Sequence, residues 1–254
     1  MDVLNEGVNP GQQGTQIDAL GHFAVVNEAW DGSGEFTGDG ARYFGGFTQE
    51  DVKPTPDSPL LKLGMEKIPP VITTAVLLDA KAHVGRGSPM KAGEVVTPAH
   101  IEAMVSAQAL EERGILPGDV VYVYTGWSDQ YKDPDTEGVY YSMAPGLSYE
   151  GAKYLAEKRV VAVGFDTPFV DAVAEGQLAG NAPPPEGTPA GKAFPVHDYL
   201  LTQAGIHLLE NVRLHDLAQD RVSTSCTMVL PTLDRGSSGA PIRPVAVGAP
   251  GRGR

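Results

Sequence analysis

The chain of 254 residues contains one cysteine, Cys226. No disulfide can form within it, so the fold rests on packing and hydrogen bonds. Cys226 stands in the run Val-Ser-Thr-Ser-Cys-Thr-Met-Val-Leu at 222–230, which reads as a strand. A small buried side chain is expected there rather than a reactive thiol. Long apolar runs are missing as well: no stretch reaches the roughly 18 residues of a membrane span. The first residues, Met-Asp-Val-Leu-Asn-Glu, have neither a basic start nor an apolar centre, so no secretory leader is expected and the cytoplasm is the default location. Positive charge is scarce, with 19 Lys and Arg against 32 Asp and Glu and a formal net charge of −13. Phosphate backbones need a basic face, so nucleic acid is excluded as a partner, and an acidic membrane surface is excluded with it. The excess charge serves solubility. Two catalytic signatures are also absent. There is no Gly-x-Ser-x-Gly elbow for a nucleophilic serine. Neither Gly85-Arg86-Gly87 nor Gly32-Ser33-Gly34 runs into the Gly-Lys-Ser/Thr of a phosphate loop.

What is present suggests an α/β protein. A hydrophobic content of 41% suits a soluble chain with a buried core. Residues 71–80, 119–124, 160–165, 206–209 and 222–230 read as short apolar strands. Helices are expected between them. One opens at Thr97-Pro98, a capping hydroxyl followed by proline, and ends at Gly114. Another runs from Ser148 to about Lys158, and a third starts at His197 and ends at Gly205. Residues 1–21 and 27–59 read as loop, 22–26 as a short strand or a first helical turn, and 176–195 as a loop or lid. Alternating helices and continuous apolar strands indicate a sheet covered by helices. No repeat or composition boundary divides the chain, so a single domain over 1–254 is expected, with an irregular tail from about 235.

Chemistry concentrates in Gly14-Thr15-Gln16-Ile17-Asp18-Ala19-Leu20-Gly21-His22. A carboxylate and an imidazole four residues apart, with Gln12 and Gln16 before them, can ligate a hard or borderline metal or carry out acid–base work. The plain alternative makes Asp18 a turn residue and His22 a hydrogen-bonded structural histidine. Trp127, Tyr131, Tyr140 and Tyr141 gather after the strand that ends at Tyr124. They suit either stacking on a flat small-molecule substrate or the filling of a loop core. His83, His100, His207 and His215 have no motif around them and read as surface or local structure.

The Gly14–His22 stretch resembles the signature of the cyclase family of metal-dependent hydrolases, which includes kynurenine formamidase, isatin hydrolase and a trans-dienelactone hydrolase. That pattern reads His-x-Gly-Thr-His-x-Asp-x-Pro-x-His. Gly14, Thr15, Asp18 and His22 match it, while Gln12, Gln16 and Leu20 replace two histidines and the proline. Further blocks follow in family order: Arg42 to Phe47, Ile68 to Asp79, Val163 to Asp171, His197 to Asn211, and Gly239 to Pro244. The resemblance implies a mixed sheet curling into a partial barrel with helices packed outside, assembled as a homodimer or homotetramer. It implies a divalent metal, Zn or Mn, with Asp18 as central ligand. His197 and Glu210 stand at the positions of one metal, and Gln12 and Gln16 at those of the other. A neutral carboxamide binds more weakly than imidazole, so one ion is expected rather than two. His22 takes the place of the general base, and Trp127, Tyr131 and Tyr140 are the expected substrate contacts. The implied reaction is hydrolysis of a cyclic or planar amide, lactone or other ester, or formamide. The alternative is a chain that keeps the fold, has lost catalysis and serves ligand binding or assembly. Family members carry several dozen residues ahead of the motif, so this is either a shortened form or a chain whose start was assigned late.

Overall fold

The computed structural model describes residues 14–26, 38, 40–55, 57–132 and 136–251. The strands in chain order are β1 (Gln16–Asp18), β2 (Val71–Asp79), β3 (Val95–Val96), β4 (Val120–Tyr124), β5 (Gly146–Leu147), β6 (Ala162–Phe165), β7 (His207–Glu210), β8 (Thr224–Val229), β9 (Gly239–Pro241) and β10 (Val245–Val247). The helices are α1 (Gln49–Val52), α2 (Ala80–His83), α3 (Pro98–Ala107), α4 (Tyr149–Glu157), α5 (Pro195–Tyr199) and α6 (His215–Gln219). Eight strands form one sheet in the order β10-β8-β2-β4-β6-β7-β1-β9, and β3 pairs with β5 in a small separate sheet. β2, β4, β6 and β7 are parallel, and antiparallel strands extend the sheet at both sides. The sheet curls through 222° into a half-barrel with helices around it, the mixed, partly closed architecture expected from the sequence. Among the described residues no helix is long and apolar enough to cross a membrane.

The strand period of two produces two cores. On β4, Val121 and Val123 join Val76 and Leu78 of β2 and Val163 and Phe165 of β6. Ile101 and Met104 of α3 and Leu155 of α4 cover them. Val120, Tyr122 and Tyr124 face the other way, onto Ala75, Leu77 and Leu209. Burial on both faces explains the unbroken apolar runs. α3 starts as its sequence indicates: Thr97 Oγ1 accepts from His100 N, and His100 Nδ1 takes the Thr97 backbone N–H at 3.3 Å. His100 is therefore a local capping residue.

Five expectations need correction. Within the stretch read as loop at 1–21, Gln16–Asp18 forms β1, whose partners β7 and β9 lie near the other end of the chain. Three residues with no local partner leave no pattern to read. In the stretch 22–26 only Val25 bridges, to Arg42, and Gln49–Val52 within 27–59 is a short helix capped by Thr48. The tail expected to be irregular supplies β9 and β10, at opposite sides of the sheet. β9 ends in Pro241, a residue that sheets accept only at an edge. Cys226 is exposed rather than buried: it pairs with Thr74 and Val247 and points to the face of β8 opposite buried Ser225 and Thr227.

Candidate metal centre

The register of β1 against β7 sets up the site. Gln16 lies opposite Glu210, and Asp18 opposite Leu208. Gln16, Asp18 and Glu210 therefore share one face of the sheet, while Ile17 and Leu209 pack into the opposite core. α5 meets this face. Its first turn opens with Pro195, and the backbone N–H groups of Val196 and His197 donate to Asp171 Oδ1 and Oδ2 at 2.7 and 3.0 Å. Asp171 Oδ2 also lies 2.6 Å from His197 Nδ1. With Nδ1–H committed to a carboxylate, Nε2 is the nitrogen left to bind. It lies 3.2 Å from Glu210 Oε1 and 3.5 Å from Asp18 Oδ2. Gly146 makes room for this arrangement, since a Cβ there would come within 2.3 Å of the Asp171 carbonyl carbon.

Glu210 is buried and held from two more sides. Val170 N donates to Oε1 at 3.0 Å, and Gln16 Nε2 donates to Oε2 at 2.9 Å. His22 stands in the turn after β1, where its backbone N–H reaches Ala19 O. Its ring centroid is 6.0 Å from that of His197, and Phe23 and Phe194 flank His197 at 5.2 and 5.9 Å. One ligand atom each from Asp18, His22 and His197 lie within 4.8 Å of one another.

Burial alone would lower the His197 pKa, but the hydrogen bonds its ring donates to Asp171, Asp18 and Glu210 lift it well above its ordinary value. Burial, then the Asp18 charge, pushes Glu210 up to about 7, with His197 holding it back. Both shifts have one cause: several buried carboxylates surround a single imidazole and favour any cation that joins them. A divalent metal fits these residues. Carboxylate oxygen and imidazole nitrogen are the donors that Zn and Mn accept. A carboxylate on the far nitrogen of His197 is the usual support of a ligating histidine.

The other sequence-predicted residues fall as follows. Gln12 lies outside the described residues. The Gln16 amide turns its N–H toward Glu210. Trp127 is buried, with its indole N–H on Tyr140 O at 3.3 Å, behind the wall that Tyr140 forms. Tyr131 and Tyr140 line a cleft of about 490 Å³ together with Gly14, Thr15 and Asn211. Asp18, His22 and His197 do not line that cleft, but Thr15 and Asn211, the chain neighbours of Gln16 and Glu210, do.

Sequence reasoning gave no role to Asp166, Asp171 or Asn211. Asp166 Oδ1 accepts from Thr125 N and Oγ1 at 2.7 Å, and Oδ2 from Gly126 N at 2.9 Å and Ser128 Oγ at 3.0 Å. It fixes the loop after β4. Asn211 adopts φ +54° and donates to Gly14 O at 2.9 Å, while its Oδ1 accepts from Tyr140 Oη at 2.9 Å. The signal available in sequence was the resemblance: Asp166 and Asp171 stand in the family-like block Val163 to Asp171, and Asn211 closes the block His197 to Asn211. His207, read as surface or local structure, places Nδ1 2.9 Å from the Asp18 carbonyl and so buttresses β1.

Residues 7–172 match the model of the Cyclase family, and the chain belongs to that family. A solved structure described as a novel cyclase superposes with a TM-score of 0.71 at 24% identity, covering 94% of this chain and 69% of that one. Isatin hydrolase A from Ralstonia solanacearum gives 0.59 at 20% identity, with coverages of 93% and 72%. An isatin hydrolase bound to the product analogue thioisatinate gives 0.57 at 18%, with 93% and 71%. These likenesses show the fold. A search of curated proteins returned no match.

Proposed function

We propose that this chain is a metal-dependent hydrolase that cleaves a cyclic or planar small molecule at an amide, lactone or other ester, or formamide carbonyl. One observation carries the reading: Asp18, His22 and His197 present ligand atoms within 4.8 Å, and Asp171 fixes which nitrogen His197 offers. Family membership supports it, as does the likeness to proteins named isatin hydrolases. The cofactor is one Zn or Mn ion held by Asp18 and His197, with Glu210 beside them. Such an ion, when bound, polarises a carbonyl and makes water a nucleophile near neutral pH.

The protein's own residues supply the rest. Asp171 keeps the His197 ring oriented, Glu210 adds negative charge at Nε2, and Phe23 and Phe194 exclude water from the His197 ring. His22 takes the proton released in the attack and returns it to the leaving group. Tyr131 and Tyr140 border the substrate, and Trp127 backs them. We place the protein in the cytoplasm as a homodimer or homotetramer.

Purification without chelator, followed by elemental analysis and assay with Zn²⁺ or Mn²⁺ on lactones, cyclic imides and N-formyl arylamines, tests the reading. A folded protein with no bound metal and no metal-stimulated turnover refutes it. That outcome would favour the second reading, a cyclase-fold protein devoted to ligand binding or assembly. The Gln16 amide favours this alternative, because it donates to Glu210 where the family pattern has an imidazole. His22→Ala tests the base. Metal content should persist while turnover falls roughly a hundred-fold, the scale of a lost general base. Loss of metal along with the side chain would make His22 a ligand instead.

A further inference from the structure

The same cleft carries a second polar cluster, made of residues other than those of the metal centre. Lys81 lies in α2 just beyond β2, Tyr124 closes β4, Asp129 sits in the turn after it, and His215 opens α6. They meet at the carboxyl ends of parallel strands, the place where open α/β sheets bind ligands. Lys81 Nζ is 2.7 Å from Asp129 Oδ2 and donates to Tyr124 Oη at 3.4 Å. Tyr124 Oη in turn is 3.1 Å from His215 Nδ1. Gly126 allows the crossing: its φ is +79°, and a Cβ there would come within 2.6 Å of Lys81 Cδ.

The chain of donors has a direction. The bond to Asp129 raises the Lys81 pKa, so the ammonium keeps its protons. Burial raises Tyr124, so the phenol keeps its hydrogen. A phenol oxygen that accepts from an ammonium still has its own O–H to give, and His215 Nδ1 is the acceptor in reach. Asp129 Oδ1 also faces Nδ1, at 3.9 Å, but beyond hydrogen-bond distance; with Nδ1 taking the phenol O–H, the hydrogen of the neutral ring sits on Nε2. Among the described residues Nε2 has no partner, and His215 borders the cleft beside Arg213. Among the described residues Arg213 pairs with Asp216 alone, at 3.3 Å and with its side chain 80% exposed, a contact weak enough to yield to a ligand. Tyr131 and Tyr140, which also line the cleft, meet edge to face with centroids 5.3 Å apart, Tyr131 being the exposed ring of the pair.

We propose that this cleft selects a flat aromatic ring bearing a carboxylate, with the tyrosines against the ring and His215 Nε2–H and the Arg213 guanidinium on the carboxylate oxygens. Lys81 and Tyr124 are positioning residues that act through His215. The proposal deepens the hydrolase reading and rests on it for the cleft being the substrate's seat. In a chain of net charge −13, an anion needs such a local cationic wall to bind at all.

Benzoate is the probe and benzyl alcohol its uncharged control, titrated into the full-length protein and followed by ¹H–¹⁵N spectra of the histidine rings. The free protein should show His215 with Nε2 protonated and Nδ1 bare; Tyr124→Phe and Lys81→Met should mix the tautomers. Benzoate should move the His215 signals. His215→Phe should weaken benzoate roughly tenfold or more, the scale of one hydrogen bond to a charged group, and leave benzyl alcohol within about twofold. His215→Gln, which carries an N–H in the same region, should restore part of the loss. Absence of benzoate binding, or equal binding to the parent and His215→Phe, overturns the proposal. Asp18→Asn should not change benzoate binding. If benzoate behaves as stated while no metal or turnover is found, the hydrolase reading fails and the anion site stands.

Discussion

Replacing Asp171 by Asn separates the support of the metal centre from the support of the fold. Asp171 is 1% exposed and accepts from Val196 N at 2.7 Å, His197 N at 3.0 Å and His197 Nδ1 at 2.6 Å. Asparagine has the same shape but only one accepting oxygen. Placed where Oδ2 was, that oxygen keeps the two bonds to His197, and the NH₂ group then faces the Val196 N–H. The cost is one unmade buried bond, about 1–3 kcal/mol of stability. Metal affinity falls for a different reason: the His197 ring loses the anion that makes Nε2 a strong donor. Loss of such outer support costs about 10–100-fold, or roughly 1.4–2.7 kcal/mol. A second effect opposes this. Without Asp171, His197 releases its proton more easily, so a metal competes with less proton. That compensation shrinks as pH rises, so the affinity loss should be read at about pH 8.5 by competition with a chromogenic chelator. Circular dichroism and thermal unfolding establish that the variant folds. Asp166→Asn is the control: Asp166 is equally buried and hydrogen-bonded but touches no histidine. It should lose stability and hold metal as the parent does. Parent-like metal affinity in folded Asp171→Asn, or an equal loss in Asp166→Asn, refutes the reasoning.

Asp18→Asn should lower metal content and turnover together; stoichiometric metal in the folded variant would remove Asp18 from the ligand set. Gln16→His, alone and with Gln12→His, should tighten Zn²⁺ binding and recruit a second ion, because imidazole is the stronger donor and position 16 shares a face with Asp18 and Glu210. Unchanged stoichiometry and affinity would show that position 16 points away from the ion. The centre also sets a pH dependence. Glu210 is raised to about 7 from 4.5, so the metal-free fold binds more protons than the unfolded chain between those values and loses stability as pH rises through them. His197, raised above 6.5, has the same sign: its contribution is complete below 6.5 and is lost as pH rises through the folded value. A bound metal replaces those protons, so the gain in Tm from added Zn²⁺ or Mn²⁺ should increase from pH 6 to pH 8; a constant or shrinking gain would contradict it.

The parts of the fold legible in the sequence were those whose physics is local. β2, β4 and β6 are buried on both faces, so their apolar runs are unbroken, and α3 announces itself through Thr97-Pro98. β1, β9 and β10 were not legible, because three-residue strands exist only through partners far along the chain. Cys226 was misread for a related reason: its strand is real, but which face the helices cover is decided by topology. The site divides in the same way. Asp18, His22, His197 and Glu210 were nominated by motif resemblance, and the fold brings them together. Asp171 stood in the sequence 26 positions before His197 with nothing to say that it would meet Nδ1. His215 read as an unremarkable histidine because Lys81 and Tyr124, which give it direction, come from two other elements.

Asn211 links the metal centre to the cleft through hydrogen bonds. It follows Glu210 at the end of β7 with φ +54°, a conformation that asparagine tolerates better than most residues. Glycine would meet the backbone demand as well, but it could not make the contacts that matter here. Asn211 Nδ2 donates to Gly14 O, its carbonyl accepts from Thr15 Oγ1 at 2.6 Å, and Oδ1 accepts from Tyr140 Oη. Gly14 and Thr15 lead directly into Gln16 and Asp18, and Tyr140 walls the cleft. Asn211 thus ties the segment leading into Asp18 to a tyrosine of the cleft wall. If the cleft seats the substrate as proposed, its distance from the carboxylate cluster is set by these hydrogen bonds at Asn211. That is the arrangement a hydrolase needs, because a carbonyl held even about 1 Å out of place can lose two orders of magnitude in rate.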